Sequence, residues 1–126
     1  MSGQPLSACS VMALLLAAAC GRGETPPPVT TETPPEHETG AALLREHCAG
    51  CHGARAEGTD LGPPLVHRIY EPGHHADPAF QLAVARGVRA HHWRFGDMAP
   101  VPGVSESDVT AIIGYIRWLQ RQAGIE

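Results

Sequence analysis

The feature of this 126-residue chain that most restricts its fold is the run Cys48-Ala49-Gly50-Cys51-His52. Two thiols three residues apart on a helical turn can add to the two vinyl groups of one haem, and the next histidine can donate a ring nitrogen to the iron. This C-x-x-C-H spacing is the attachment signature of c-type haem. Two alternatives use the same cysteines. A redox-active dithiol belongs near a β-α-β pattern, which the sequence lacks, and a zinc site needs two further ligands.

The first nineteen residues are predicted to be a signal for export. Residues 1–20 carry no charged side chain, and the apolar run at 11–19 is too short to cross a bilayer as a helix. Three alanines at 17–19 precede Cys20, and this resembles a bacterial lipobox, in which the cysteine is lipidated and becomes the new N-terminus. An ordinary secretory signal cleaved nearby is the alternative. Either one takes the protein out of the cytoplasm, and Cys9 is removed with the signal.

Residues 20–39 are predicted to be a lipid-anchored linker. They contain five Pro, five Thr and four Glu, so they offer almost nothing apolar to bury, and the prolines favour an extended chain. The linker carries a net charge of -3 and residues 40–126 carry only -1. The remaining domain therefore has no basic surface of the kind that binds nucleic acid. It has fewer than ninety residues, which is small for a self-sufficient core, and such domains often need a cofactor.

The first predicted helix begins after Thr39 or Gly40 and runs toward Gly50. Three residues at the i, i+4 and i+7 positions share one of its faces: Leu44, Cys48 and Cys51.

The second predicted helix begins at Asp77-Pro78, because Asp is a good N-cap and Pro suits the first helical position. Phe80 and Val84 share a face of this helix, and Gly87 supplies its C-terminal stop.

The third predicted helix has the clearest pattern. Ser105 is its expected N-cap, Asp108 completes a capping box, and Gly124 ends it. Its apolar positions follow helical spacing: Val109, Ile112, Ile113, Ile116 and Leu119. Long loops at 52–76 and 88–104 join the helices, and no strand pattern is visible. The sequence therefore predicts an all-α domain. Its long loops need a surface to pack on, and a domain of this size has only a small core to offer.

A six-coordinate haem needs a second axial ligand, and Met98 is the candidate. Met1 and Met12 lie in the predicted signal, so Met98 is the only methionine expected in the mature protein. It lies in a Gly/Pro-stiffened loop at 95–102, whereas a methionine that only fills a gap needs no such setting.

Four sequence elements follow the linker in a fixed order. They are Gly40-Ala41-Ala42-Leu43-Leu44, then Cys48 to Gly53, then Leu61-Gly62-Pro63-Pro64-Leu65, then Met98 with its prolines ahead of a terminal helix that contains Val109, Ile113, Tyr115 and Leu119. In this order they resemble a class I monohaem cytochrome c domain across residues 40–126. The resemblance implies a small cytochrome c fold of three to five helices packed around one covalently bound haem c.

The resemblance also implies roles for individual residues. Cys48 and Cys51 would be the thioether anchors, His52 the proximal ligand and Met98 the distal ligand. The carbonyl of Pro63 would accept a hydrogen bond from the other ring nitrogen of His52.

Two further positions take their meaning from the resemblance. Gly40 would let the first helix cross closely over the last, near Tyr115. Ala99 stands where the family often has proline after the ligand methionine, which implies a less rigid loop and a more labile bond between Met98 and iron.

Six other histidines lie in the domain: His47, His67, His74, His75, His91 and His92. His91 and His92 are alternatives to Met98 as distal ligand, because they are close to it in sequence. The paired histidines could also form a peripheral copper or zinc site. The favoured interpretation is that they are exposed loop residues, since no helical ligand spacing supports a metal.

Trp93, with Arg89 and Arg94, would suit the haem propionates, because indole N–H and guanidinium groups donate hydrogen bonds to carboxylates. A core tryptophan beside two surface arginines is the alternative.

These patterns predict a c-type cytochrome in the periplasm or cell envelope that passes single electrons between redox protein partners. Its N-terminal lipid would anchor it to a membrane. With both axial positions filled by protein, no site is open for a substrate, so an enzyme is not expected. The alternatives are a haem subunit docked in a larger oxidoreductase, and a haem domain whose labile distal ligand gives way to peroxide or small gases.

Overall fold

The computed structural model describes residues 32–126. The predicted signal, the lipidation site at Cys20 and the first part of the linker lie outside the described residues.

The described chain is helical. Its α-helices are α1 (Glu38–His47), α2 (Ala49–His52), α3 (Asp77–Arg86) and α4 (Glu106–Gln122), and short 3-10 turns lie at Pro35–His37 and Arg68–Tyr70. Residues 32–126 contain no strand, and their β-type pairing is an isolated antiparallel bridge between Val88 and Met98. The prediction of an all-α domain with three to five helices is therefore confirmed. None of the helices within 32–126 is both long enough and apolar enough to cross a membrane.

The core forms where α1 crosses α4. A Cβ atom on Gly40 would collide with the backbone carbonyl of Ala111 and would lie 3.1 Å from Tyr115 Cβ. Glycine is therefore required at this crossing, as predicted. The close approach buries apolar side chains from both helices, among them Ala41, Leu44, Ile112, Tyr115, Ile116 and Leu119.

The predicted first helix is two helices in the structure. α1 begins at Glu38, slightly earlier than expected, and ends at His47 because Cys48 leaves helical geometry, with φ -123° and ψ -26°. The Cys48 carbonyl then accepts the backbone N–H of both Cys51 and His52, which starts α2. Cys48 is therefore the break between the two helices, and Cys51 lies within α2.

The start of α3 differs in detail from the prediction. Ala76 occupies the N-cap position without a side-chain bond, and Asp77 is the first helical residue. The expectation that Asp77 is the N-cap is wrong. Its carboxylate instead accepts the Nε–H of Arg117 on α4 at 2.9 Å. The predicted stop at Gly87 is confirmed, since this residue ends α3 with φ +76°.

The capping box of α4 is confirmed. The Ser105 hydroxyl accepts the Asp108 N–H at 3.2 Å, and the Asp108 carboxylate accepts the Ser105 N–H at 3.0 Å. The helix ends at Gln122, and Gly124 follows with φ +71°. Pro35–His37, which fall within the predicted linker, pack on this helix, and the His37 ring lies 5.8 Å from the Trp118 ring.

Candidate haem site

A mostly apolar cavity of about 370 Å³ lies between α3, α4 and the loop that joins them. This volume is within the range of about 300–1,000 Å³ that is usual for cofactor and ligand sites. α3 and α4 line it with Phe80, Ala83, Val84, Ile112, Ile113 and Ile116. Phe80 and Val84 are half-buried, and no residue of α3 is fully buried within the described chain. The apolar face of α3 therefore faces this cavity more than a packed core.

His52 is held at the cavity wall with one ring nitrogen fixed. Its Nδ1 lies 2.9 Å from the backbone oxygen of Pro63, the hydrogen bond that the resemblance implied. A carbonyl can only accept, so Nδ1 carries the proton and the Nε2 of the neutral ring has a free lone pair. Such a bond to the second nitrogen fixes the tautomer and ring orientation of a histidine that binds metal.

The two cysteines of the motif are both thiols. Cys48 is half-buried in the cavity wall. Cys51, three residues later in the sequence, is exposed to solvent. Burial, and to a smaller degree the neighbouring Cys51, raises the pKa of Cys48. A raised pKa makes Cys48 a less reactive thiol than an exposed cysteine.

Met98 lines the same cavity as His52 and is half-buried. Its backbone is fixed by reciprocal hydrogen bonds with Val88, each 2.9 Å long. A Cβ on Gly87 would collide with the Met98 carbonyl and would lie 3.0 Å from Pro100 Cδ. The end of α3 therefore sets the position of Met98 through the backbone.

His91 and His92 also line this cavity, and both are exposed. The structure thus brings both of the alternative distal ligands to the same wall as Met98. Partial desolvation, and then the charges of His91, His75 and His74, lower the pKa of His92. The His92 ring is therefore more readily neutral than an isolated histidine.

Trp93 lies at the cavity with its indole nitrogen buried. Its Nε1 has no hydrogen-bond partner among the described residues, although burial in a protein interior makes one strongly favourable. Burial raises the pKa of Tyr70, and the nearby Trp93 indole lowers it by a smaller amount. The indole nitrogen nevertheless makes no hydrogen bond of normal geometry to Tyr70. Arg89 and Arg94, the other predicted propionate partners, are exposed.

A buried polar network behind the cavity was missed by the sequence analysis. Arg117 on α4 is 8% exposed and donates hydrogen bonds to the backbone carbonyls of Tyr70 and His75 and to the side chain of Gln120. Gln120, 1% exposed, donates in turn to the carbonyls of Leu65 and Tyr70. The network ties the loop at 65–75 to α4.

One signal in the sequence could have revealed this network. Arg117 and Gln120 each lie four residues after an apolar core position, Ile113 and Ile116, and so fall within the apolar stripe of α4. A polar side chain in such a stripe is buried and needs internal partners.

The residues present fit a covalently bound haem. Two thiols stand beside a histidine with a free Nε2, a methionine lines the same apolar cavity, and an indole N–H there has no acceptor within residues 32–126. Cys48, Cys51, His52 and Met98 would hold the group, and Trp93 would donate to it.

A match to a protein-family model agrees with this chemistry, whereas no curated protein and no solved structure gave a significant match. A model of the family described as cytochrome c matches residues 37–120, which is two thirds of the chain and includes every helix of the described region almost in full. The chain therefore belongs to the cytochrome c family, whose members carry covalently attached haem c and transfer electrons.

Proposed function

We propose that this protein is a monohaem electron carrier that works outside the cytoplasm with His52 and Met98 as axial ligands. The observation that carries the proposal is that His52 and Met98 line one apolar cavity, with His52 Nδ1 donating to Pro63 and its Nε2 left free.

Each residue of the site has one task in this proposal. Cys48 and Cys51 hold the cofactor covalently, which suits a domain too small to enclose it fully. His52 and Met98 would both bind the iron and would leave no position on it for a substrate. When bound, the haem supplies a one-electron iron couple. The thioether of Met98 is a neutral, soft ligand that favours the reduced state and raises the reduction potential.

The surroundings of the site support transfer without rearrangement. Pro63 fixes the His52 ring, and the bridge to Val88 fixes the backbone of Met98. Both residues are therefore held in one orientation, which would keep the reorganisation small when the bound haem gains or loses an electron.

The location and partners are proposed from the sequence. The apolar segment before Cys20 supports export and lipid anchoring in the periplasm or cell envelope, and the covalent attachment of haem belongs to that side of the membrane. A proline-rich linker of about sixteen residues would reach on the order of 50 Å. Such a tether keeps the carrier at a high local concentration near membrane-bound donor and acceptor proteins.

The test is a visible spectrum with a redox titration of the haem-loaded protein and of Met98→Ala. The variant is expected to lose the methionine–ferric iron absorption band and to lower the reduction potential by on the order of 100 mV, because axial ligands tune haem potentials over a range of about 0.8 V.

His91→Ala and His92→Ala are the matched controls, since both side chains line the same cavity. Both should keep the absorption band and the potential. An unchanged Met98→Ala spectrum, with loss of the native spectrum in either histidine variant, would instead establish bis-histidine ligation. A five-coordinate spectrum in the parent protein that changes on adding peroxide or carbon monoxide would favour the labile-ligand alternative.

A further inference from the structure

A cluster of three histidines lies at one side of the cavity, where two loops meet. His74 and His75 belong to the loop before α3, and His92 belongs to the loop that follows it. One ligand nitrogen from each lies within 4.8 Å of the other two. His75 and His92 also line the haem cavity, whereas His74 faces solvent.

The spacing of two ring nitrogens matches shared coordination of one ion. His74 Nε2 and His92 Nε2 are 3.4 Å apart. Two nitrogens at tetrahedral positions, each 2.0–2.1 Å from one zinc ion, lie roughly 3.3–3.4 Å apart. The same distance is long for a hydrogen bond between two imidazoles, which is strongest near 2.9–3.0 Å.

His75 is oriented in the manner of a metal ligand. Its Nδ1 lies 2.5 Å from the backbone oxygen of Ile69. This carbonyl can only accept, so Nδ1 is the protonated nitrogen and Nε2 is free to bind a cation. A backbone carbonyl on the far nitrogen is the usual outer partner of a histidine that binds metal.

Both loops are held in place by their own hydrogen bonds. The Glu71 carbonyl accepts the backbone N–H of His74 at 3.0 Å and of His75 at 2.8 Å. In the second loop, the Ala90 N–H donates to the Asp97 carboxylate at 2.8 Å. The three imidazole rings therefore lie on two loops whose backbone conformation is held by hydrogen bonds within each loop.

We propose that His74, His75 and His92 bind one Zn²⁺ ion at the side of the haem cavity. Three imidazoles within 4.8 Å of one another, two of them with the nitrogen spacing of tetrahedral zinc, suit this ion, and the exposure of His74 and His92 leaves a fourth position for water. The ion joins the loop before α3 to the loop that carries Met98. Zinc binding therefore stabilises the two segments that close the cavity.

The experiment is calorimetric titration of the haem-loaded full chain with ZnCl₂ in a buffer that does not bind metal. We expect one Zn²⁺ per haem, and at least a tenfold weaker affinity in His74→Ala and in His92→Ala, since each removes one of three ligands. His74 is exposed and lies outside the cavity lining, so His74→Ala should keep its haem, and the haem spectrum of His92→Ala is recorded alongside because His92 lines the cavity. His47→Ala is the matched control, because this histidine lies on α1 outside the cluster, and it should bind zinc as the parent does.

Zinc-edge X-ray absorption of the parent protein supplies a second measurement that needs no variant. We expect three histidine nitrogens at about 2.0–2.1 Å. The proposal is overturned if no zinc binds, if fewer than two imidazoles surround it, or if His74→Ala and His92→Ala bind as tightly as the parent. It is also overturned if His92→Ala changes the axial-ligand spectrum of the haem, because His92 would then belong to the iron. Tighter binding of Cu²⁺ with a square-planar spectrum would replace zinc by copper and would overturn the choice of metal.

Discussion

The Trp93 indole nitrogen is the one buried side-chain polar atom without a partner within residues 32–126. Because a donor of this kind is costly to bury unpaired, it indicates an acceptor supplied by the cofactor. The haem carries carboxylates, and a carboxylate accepts a charge-assisted hydrogen bond from an indole.

Trp93→Phe should therefore alter the pH dependence of the reduction potential while keeping the fold. Loss of a donor destabilises an ionised propionate by about 1.5–3 kcal/mol, so the pH-dependent part of the potential should move to higher pH. Redox titrations from pH 5 to 9 measure the change. Trp118→Phe makes the same substitution outside the cavity lining, so it is the control and should leave the profile in place. An unaltered Trp93→Phe profile would mean that the indole does not contact a propionate.

Single residues were predictable where their chemistry is local in sequence. The spacing of Cys48, Cys51 and His52 predicts haem attachment, and the hydrogen bond between His52 and Pro63 that the resemblance implied is present in the structure. Arg117 was not recognised because its acceptors, the carbonyls of Tyr70 and His75, lie more than forty positions away in the sequence.

Among the elements, the crossing of α1 over α4 depends on Gly40, since any Cβ there meets the backbone of Ala111. Backbone cannot move aside as a flexible side chain can, so the helices must separate. Gly40→Ala should lower the free energy of unfolding by about 1–3 kcal/mol.

Gly114→Ala on α4 is the matched control for Gly40→Ala. The nearest atom to an added Cβ is His37 Nδ1 at 3.9 Å, which is ordinary contact. This variant should be neutral or more stable by up to about 1 kcal/mol, because alanine favours a helix more than glycine does. Denaturant titration of both proteins decides the point, and equal effects would contradict the assigned role of Gly40.

The hydrogen bonds of Arg117 join α4 to the loop at 65–75 and to α3. Arg117→Met keeps much of the apolar stem but leaves the carbonyl of His75 without its charged donor. The free energy of unfolding should fall by roughly 2–4 kcal/mol. Arg121→Met, one turn later and exposed, should change it by less than about 0.5 kcal/mol. Similar stabilities of the two variants would show that the network contributes little.

Elements were predicted best where their signals are short in range. The capping box of α4 and the stop at Gly87 need only neighbouring residues. The break at Cys48 could not be read from the apolar face, because Leu44, Cys48 and Cys51 keep helical spacing across it. The cap at Asp77 failed because Arg117, forty positions later, takes its carboxylate.

At the scale of the whole molecule, the predicted N-terminal anchor and the helical domain are expected to function independently. Cys20→Ser should leave export intact but move the protein from the membrane fraction to the soluble envelope fraction, since the lipid would have no attachment site. Fractionation followed by haem staining measures this. Cys9→Ser should stay with the membrane, and membrane retention of Cys20→Ser would point to some other means of attachment.

The helical domain could be predicted because the family's elements occur in order within residues 40–126, whereas the predicted signal and most of the predicted linker lie outside the described residues. The position of the domain start was less clear. Composition assigned Pro35–His37 to the linker, yet these residues pack on α4. The contacts join distant parts of the chain, so they could not be predicted from neighbouring residues. The sequence analysis named a copper or zinc site on the paired histidines only as an alternative, because His74 and His75 become neighbours of His92 only when two loops fold together.

The contact between α1 and α4 also sets an order of events as the chain folds. Gly40 and Ala111 are 71 positions apart, so a large loop must close before their contact contributes any stability. A chain that emerges from its N-terminus presents Cys48 and Cys51 well before α4 exists. Both thiols lie within this span of 71 positions, so we expect them to remain open to a cofactor until α4 packs on α1.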